Sequence, residues 1–93
     1  MKRELHQSTA FGRSLRRWLK KHPEADEPMH AILAALAENA FQPSLGTHKL
    51  KGKWSSYHAC STGYDLRIVF EFFQHHGVEA IQLVEIGTHE EVY

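Results

Sequence analysis

Apolar positions follow two different periods along this chain, and the switch between them divides it. Phe11, Leu15, Trp18 and Leu19 fall at i, i+4, i+7 and i+8, the stripe of an amphipathic helix. Ser8 or Thr9 is placed to cap its start, and Pro23 ends the pattern. Met29, Ile32, Leu33, Leu36 and Ala40 make the apolar face of a second helix. Asp26 is its expected cap, Pro28 sits near its first turn, and its end falls near residues 39–41. Two helices joined by the short acidic linker 24–27 predict a helical hairpin. Ahead of them, residues 2–6 can form a short first strand.

Beyond Lys53 the period shortens to two. Residues 57–61 read as a strand, followed by a turn at Thr62-Gly63. Residues 64–73 are the clearest strand, with Leu66, Ile68, Phe70 and Phe72 on one face and Asp65, Arg67, Val69 and Glu71 on the other. Gln74-His75-His76-Gly77 reads as a hairpin loop and residues 79–86 as the returning strand, broken by Gly87. That last strand is apolar on both faces, so the pattern does not set its register. The order predicts an α+β fold, an N-terminal helical hairpin packed on a small antiparallel β-sheet. A chain of 93 residues is expected to make one domain, 1–93.

Composition narrows the class. The apolar fraction, 42%, is ordinary for a globular chain and argues against disorder. Cys60 is the only cysteine, so no internal disulfide can form; it reads as a small half-buried strand residue in a reducing compartment. No apolar run approaches the roughly 18 residues of a membrane span, and the first residues lack a signal-peptide core. A cytoplasmic protein without membrane association is therefore expected. Lys+Arg and Asp+Glu both number 11, so net charge identifies no partner. The distribution is uneven: residues 1–21 carry seven bases against Glu4, and five acids but no base follow Phe70.

Several side chains could carry chemistry, each with a bland alternative. Lys49, Lys51 and Lys53 alternate in the loop after His48, where they could neutralise a phosphate backbone or form an ordinary solvated loop. Asp65 and Arg67, two apart on one strand, could pair with each other. Alternatively, the guanidinium could hold a phosphate while the carboxylate orients a base. His89 follows a glycine and could reach back over the sheet for proton transfer; Tyr93, the last residue, could pack or stack on a nucleobase. Trp54 and Tyr57 could be core or could stack on bases, with at least one expected in the core. Adjacent histidines at 75 and 76 diverge, and no ligand spacing completes a set, so no metal site and no cofactor are expected. His6, His22, His30 and His58 share no period and read as surface or helix-end residues. Cutting RNA without a metal needs a base for the 2′-OH, an acid for the departing 5′-oxygen, and cations on the phosphorane. His48, His89, Tyr93, Arg67, Lys49 and Lys51 are the right residue types.

The strings THKLKGKW, YHACSTGYDLRIVFEFF and IQLVEIGTHEEVY, in that order, resemble the RelE/ParE superfamily of bacterial type II toxins. The likeness is greatest to the YafQ and RelE-type mRNA interferases, and it covers roughly residues 11–93. It implies a toxin of a type II toxin–antitoxin system, a metal-independent, ribosome-dependent endoribonuclease that inhibits translation. Its implied partners are a cognate antitoxin, the ribosome and mRNA, with DNA reached only through the antitoxin. Carried over by position, His48 matches the histidine of the HxLKG element, Asp65 the strand aspartate, His89 the C-terminal catalytic histidine and Tyr93 the terminal aromatic. Ser61 stands where YafQ-like members have a further histidine, and Leu66 about where they have a tryptophan. The resemblance thus leaves the acid and base roles to His48 and His89, with Ser61 in the substrate-binding surface. Two other functions stay open on the same fold: a ParE-like toxin that binds DNA gyrase, and a weakened toxin module acting mainly through its antitoxin complex.

Overall fold

The computed structural model describes residues 2–63 and 65–88. Its elements run β1 (Leu5–Gln7), α1 (Thr9–Lys21), α2 (Asp26–Glu38), β2 (His48–Lys49), β3 (His58–Ser61), β4 (Leu66–His75) and β5 (Val78–Thr88). Short 3-10 turns occupy Pro23–Ala25, Pro43–Leu45 and Gly52–Trp54. The strands form one five-stranded sheet in the order β1-β5-β4-β3-β2. β1 lies parallel to β5, and the other pairings are antiparallel. This is the expected α+β layout, with a two-residue strand at His48 where the sequence suggested only a loop. Among the described residues no helix is long and apolar enough to cross a membrane.

The helices follow from their sequence. Ser8 caps α1: its Oγ accepts from the Phe11 amide at 2.9 Å and donates to the Val84 carbonyl at 2.8 Å. One hydroxyl thus closes the first turn and ties it to β5. Phe11 is fully buried, with Leu15 and Trp18 packed against the same cluster. α2 departs from expectation at its start. Asp26 is its first helical residue, and the cap position is Ala25, which offers no side-chain bond. The preceding 3-10 turn already curls the backbone, with the Ala25 amide bonded to the His22 carbonyl at 3.0 Å. Asp26 and Glu27 still place negative charge where the first-turn amides favour it.

Met29 and Leu36 of α2 pack on Ile68, Phe70, Ile81, Leu83 and Ile86 of the sheet. The spacing 81, 83, 86 departs from strict alternation because the β4–β5 ladder shifts register between Val69 and Phe70. Val69 pairs with Glu85 and Phe70 with Leu83, leaving Val84 as the extra residue of a bulge. That insertion is why β5 reads as apolar on both faces. Two further sequence expectations are corrected on this hairpin. β4 continues through His75, and the turn is only His76-Gly77, with φ of 53° and 81°. Two successive left-handed residues make the tight turn whose twist suits antiparallel strands. Gly87 does not break β5: it pairs with Arg67, and the strand runs on to Thr88 opposite Leu66.

Candidate active site

Strand alternation decides which side chains meet. Cys60, Ile68 and Ile86 face the helices, so their neighbours Ser61, Arg67 and Gly87 share the opposite face in one row across β3, β4 and β5. His48 pairs with Ala59, two residues from Ser61, and so belongs to that same face. The Arg67 guanidinium donates to Ser61 Oγ at 3.2 Å. Gly87 offers no side chain on the other flank. Backbone spacing puts His48 and Arg67 roughly 12 Å apart, so their long side chains can converge on one bound group.

His48 is exposed, and its Nδ1 lies 3.1 Å from the Gly46 carbonyl oxygen. A carbonyl can only accept, so this contact puts the proton on Nδ1 and makes Nε2 the basic nitrogen. Gly46 is left-handed at φ 59°, which turns the chain into β2. Lys49, Lys51 and Lys53 are all exposed along this edge. Lys53 Nζ lies 5.9 Å from the Trp54 ring centroid, and Trp54 is 43% exposed. Of the two aromatics there, Tyr57 is half-buried and Trp54 is available for stacking.

Asp65 requires a correction. It lies outside β4, in the turn before it, with φ 55°. The Thr62 amide and hydroxyl both donate to the Leu66 carbonyl, at 3.1 and 3.2 Å, pinning that turn. Among the described residues Asp65 forms no ion pair with Arg67 or any other base. Arg67 therefore turns to Ser61, not to the carboxylate two residues away. His89 and Tyr93 lie outside the described residues; the described part of β5 ends at Thr88, beside Leu66.

The family follows from comparison with known proteins. A family model described as "Bacterial toxin of type II toxin-antitoxin system, YafQ" matches residues 3–93. The chain belongs to the YafQ family of type II toxins. No curated protein matches the sequence. Among solved structures, YafQ from E. coli strain BL21(DE3) superposes with a TM-score of 0.77 at 14% identity, covering 98% of each chain. YafQ in the E. coli DinJ-YafQ toxin-antitoxin complex gives 0.75 at 15% identity, covering 100% of this chain and 99% of that one. A metal-bound toxin from Helicobacter pylori gives 0.77 at 22% identity, with full coverage of both chains. At these identities the structures establish the RelE/YafQ toxin fold.

In this YafQ-family chain the fold also presents residues that spacing alone passes over. Arg17 and Lys21 of α1 reach the end of the sheet and line a cleft of about 140 Å³ with Trp18, Leu66, Ile86 and Gly87. They extend the basic surface around to the row that holds Arg67. The seven bases of residues 1–21, with Lys20 and Lys21 in the last turn of α1, were the sequence signal for this. A wider depression, about 700 Å³, lies at the other end of β5 beside the Arg3–Glu79 ion pair and is remote from Arg67.

His58 is a second correction, since it is neither a surface nor a helix-end residue. It sits on β3 facing the helices, stacked on Phe70 at 5.8 Å and edge-on to Phe41 and Phe72 at 5.8 and 5.1 Å. Its Nδ1 is buried without a hydrogen-bond partner. Burial, then the positive charges of Lys49 and His48, lower its pKa, so the ring stays neutral. Cys60 is fully buried, and burial pushes its thiol up to about 12. It is inert packing, not a nucleophile.

Proposed function

We propose that this toxin is an endoribonuclease that cuts mRNA on the ribosome and so blocks translation. The observation that carries the reading is the shared face of His48, Ser61 and Arg67, bordered by Lys49, Lys51 and Lys53. Arg67 meets a scissile phosphate with two or more N–H groups, and the lysines hold flanking phosphates. The 2′-OH gives its proton to an imidazole, a 2′-O–P bond forms, and the P–O5′ bond breaks. The departing 5′-oxygen then takes a proton from the second imidazole, leaving a 2′,3′-cyclic phosphate and a 5′-OH. His48, basic at Nε2, and His89 fill these two roles, and no metal takes part in the reaction. Asp65 fixes the tautomer of an imidazole, while Tyr93 stacks on a base or donates a proton. A cognate antitoxin is the natural partner, because E. coli YafQ is found in a DinJ-YafQ toxin-antitoxin complex. We place the activity in the cytoplasm, with DNA met only through the antitoxin.

The deciding experiment is induction without antitoxin, followed by mapping of new mRNA 5′ ends. Frame-dependent cuts that vanish in His48→Ala and Arg67→Ala support the proposal. Growth arrest with inhibited gyrase supercoiling and no new ends would establish a ParE-like toxin instead. Harmless overexpression would point to a module that acts through its antitoxin complex.

A further inference from the structure

At the far end of the sheet, roughly 26 Å along β4 from Arg67, the fold gathers side chains that the sequence keeps apart. Glu4 immediately precedes β1, and His6 lies within it. Two residues apart on extended chain, they project to the same face. His75 is the last residue of β4, paired with Val78 at the tight turn. β5 runs between β1 and β4, and there Ala80, opposite Phe73, presents only a methyl group. The longer side chains of the outer strands therefore meet above it. His6 Nε2 is 2.9 Å from Glu4 Oε1, and His75 Nε2 is 3.9 Å from that same oxygen. The two imidazole centroids are 4.7 Å apart, and the His6 ring is braced edge-on against Phe73 at 5.2 Å.

We propose that Glu4, His6 and His75 form a binding site for a divalent late first-row transition ion such as Zn²⁺, separate from the RNA-facing row. One ligand atom from each residue can be chosen so that all lie within 4.8 Å of one another. A tetrahedral ion with bonds of about 2.0–2.1 Å sets its ligand atoms about 3.3–3.4 Å apart. The observed separations bracket that value, and partly exposed rings can close the remainder by rotation. Both histidines turn Nε2 toward the carboxylate, the arrangement of two neutral imidazoles and one anion around a shared centre. Glu4 supplies the anion, with one carboxylate oxygen facing both imidazoles. An ordinary Glu–His ion pair would need only His6; the second imidazole aimed at the same oxygen is what a metal uses. Imidazole nitrogen favours zinc, copper and nickel over magnesium or calcium. A bound ion would fasten β1, only three residues long, to the β4–β5 hairpin across the intervening strand.

The test is calorimetric titration of the metal-stripped full chain with Zn²⁺ alone, beside thermal melts with and without it. The wild type should bind zinc, melt several degrees higher with it, and ignore Mg²⁺. His75→Ala and Glu4→Gln should each remove one equivalent of bound zinc, or weaken it at least tenfold, and abolish most of the melting shift. His30→Ala, which touches only the exposed Asp26 pair on α2, should change neither. Neither test substitution alters the β1 ladder, because Glu4 bonds Ile81 through its backbone carbonyl. The proposal is overturned if the wild type binds no zinc. It is equally overturned if the bound equivalents and melting shift are the same in wild type, His75→Ala and Glu4→Gln.

Discussion

Replacing His58 with phenylalanine should stabilise this protein, and the gain should grow as the solution becomes acidic. The imidazole occupies an aromatic slot formed by Phe41, Phe70 and Phe72, and its Nδ1 is buried with no partner. An unsatisfied buried polar atom costs about 1–3 kcal/mol. The lower end applies here because the residue is only partly buried, and a slightly larger ring must be accommodated. A gain of about 1 kcal/mol corresponds to roughly 4–8 °C in Tm for a chain of this size. The pH dependence has a definite sign. His58 has a lowered folded-state pKa, so below about 6.5 the unfolded chain takes up a proton that the folded protein refuses. The stability it contributes is present above that value and is lost as pH falls toward the folded pKa. One such proton is worth at most about 1.4 kcal/mol between about pH 7.5 and 5.5, and partial exposure keeps the difference below that ceiling. Glu4–His6, Glu24–His22 and Asp26–His30 are retained in both proteins and cancel in the difference. Urea melts of wild type and His58→Phe across that range would measure it. A variant less stable than wild type at pH 7.5, or an identical pH slope for both, would refute the reasoning.

Arg67→Ala should lower RNA cleavage by about 10²–10³-fold, the usual cost of removing one donor to a developing oxyanion, with the far-UV spectrum unchanged; single-turnover cleavage on ribosomes measures it. Ser61→Ala, which removes only the 3.2 Å support of that guanidinium, should cost much less. Ser8→Ala should destabilise by about 1–2 kcal/mol, read from urea melts, because the cap to Phe11 and the tie to Val84 are lost together. Cys60 should resist thiol reagents at pH 8 in the native state and react fully in denaturant, given its burial and its raised pKa of about 12.

Local chemistry made much of this protein readable in its sequence. The period of Phe11, Leu15 and Trp18, the capping hydroxyl of Ser8 and the stop at Pro23 act within one or two helical turns. Alternation from Leu66 to Phe72 likewise depends only on neighbours along the strand. The order of three motifs pointed to the toxin family that the comparison then established. What failed were features set by distant partners. The bulge at Val84 is defined only against β4, so β5 had no readable register. The positive φ of Asp65 belongs to a turn locked by Thr62 and Leu66, which frees Arg67 to take Ser61 as its partner. His58 looked like any other histidine until Phe41 and Phe72 closed around it. The convergence of Glu4 and His6 with His75 has no trace in spacing, because 68 residues lie between His6 and His75. Periodicity records which face of an element a side chain occupies; only the pairing of β1, β5 and β4 decides which faces meet.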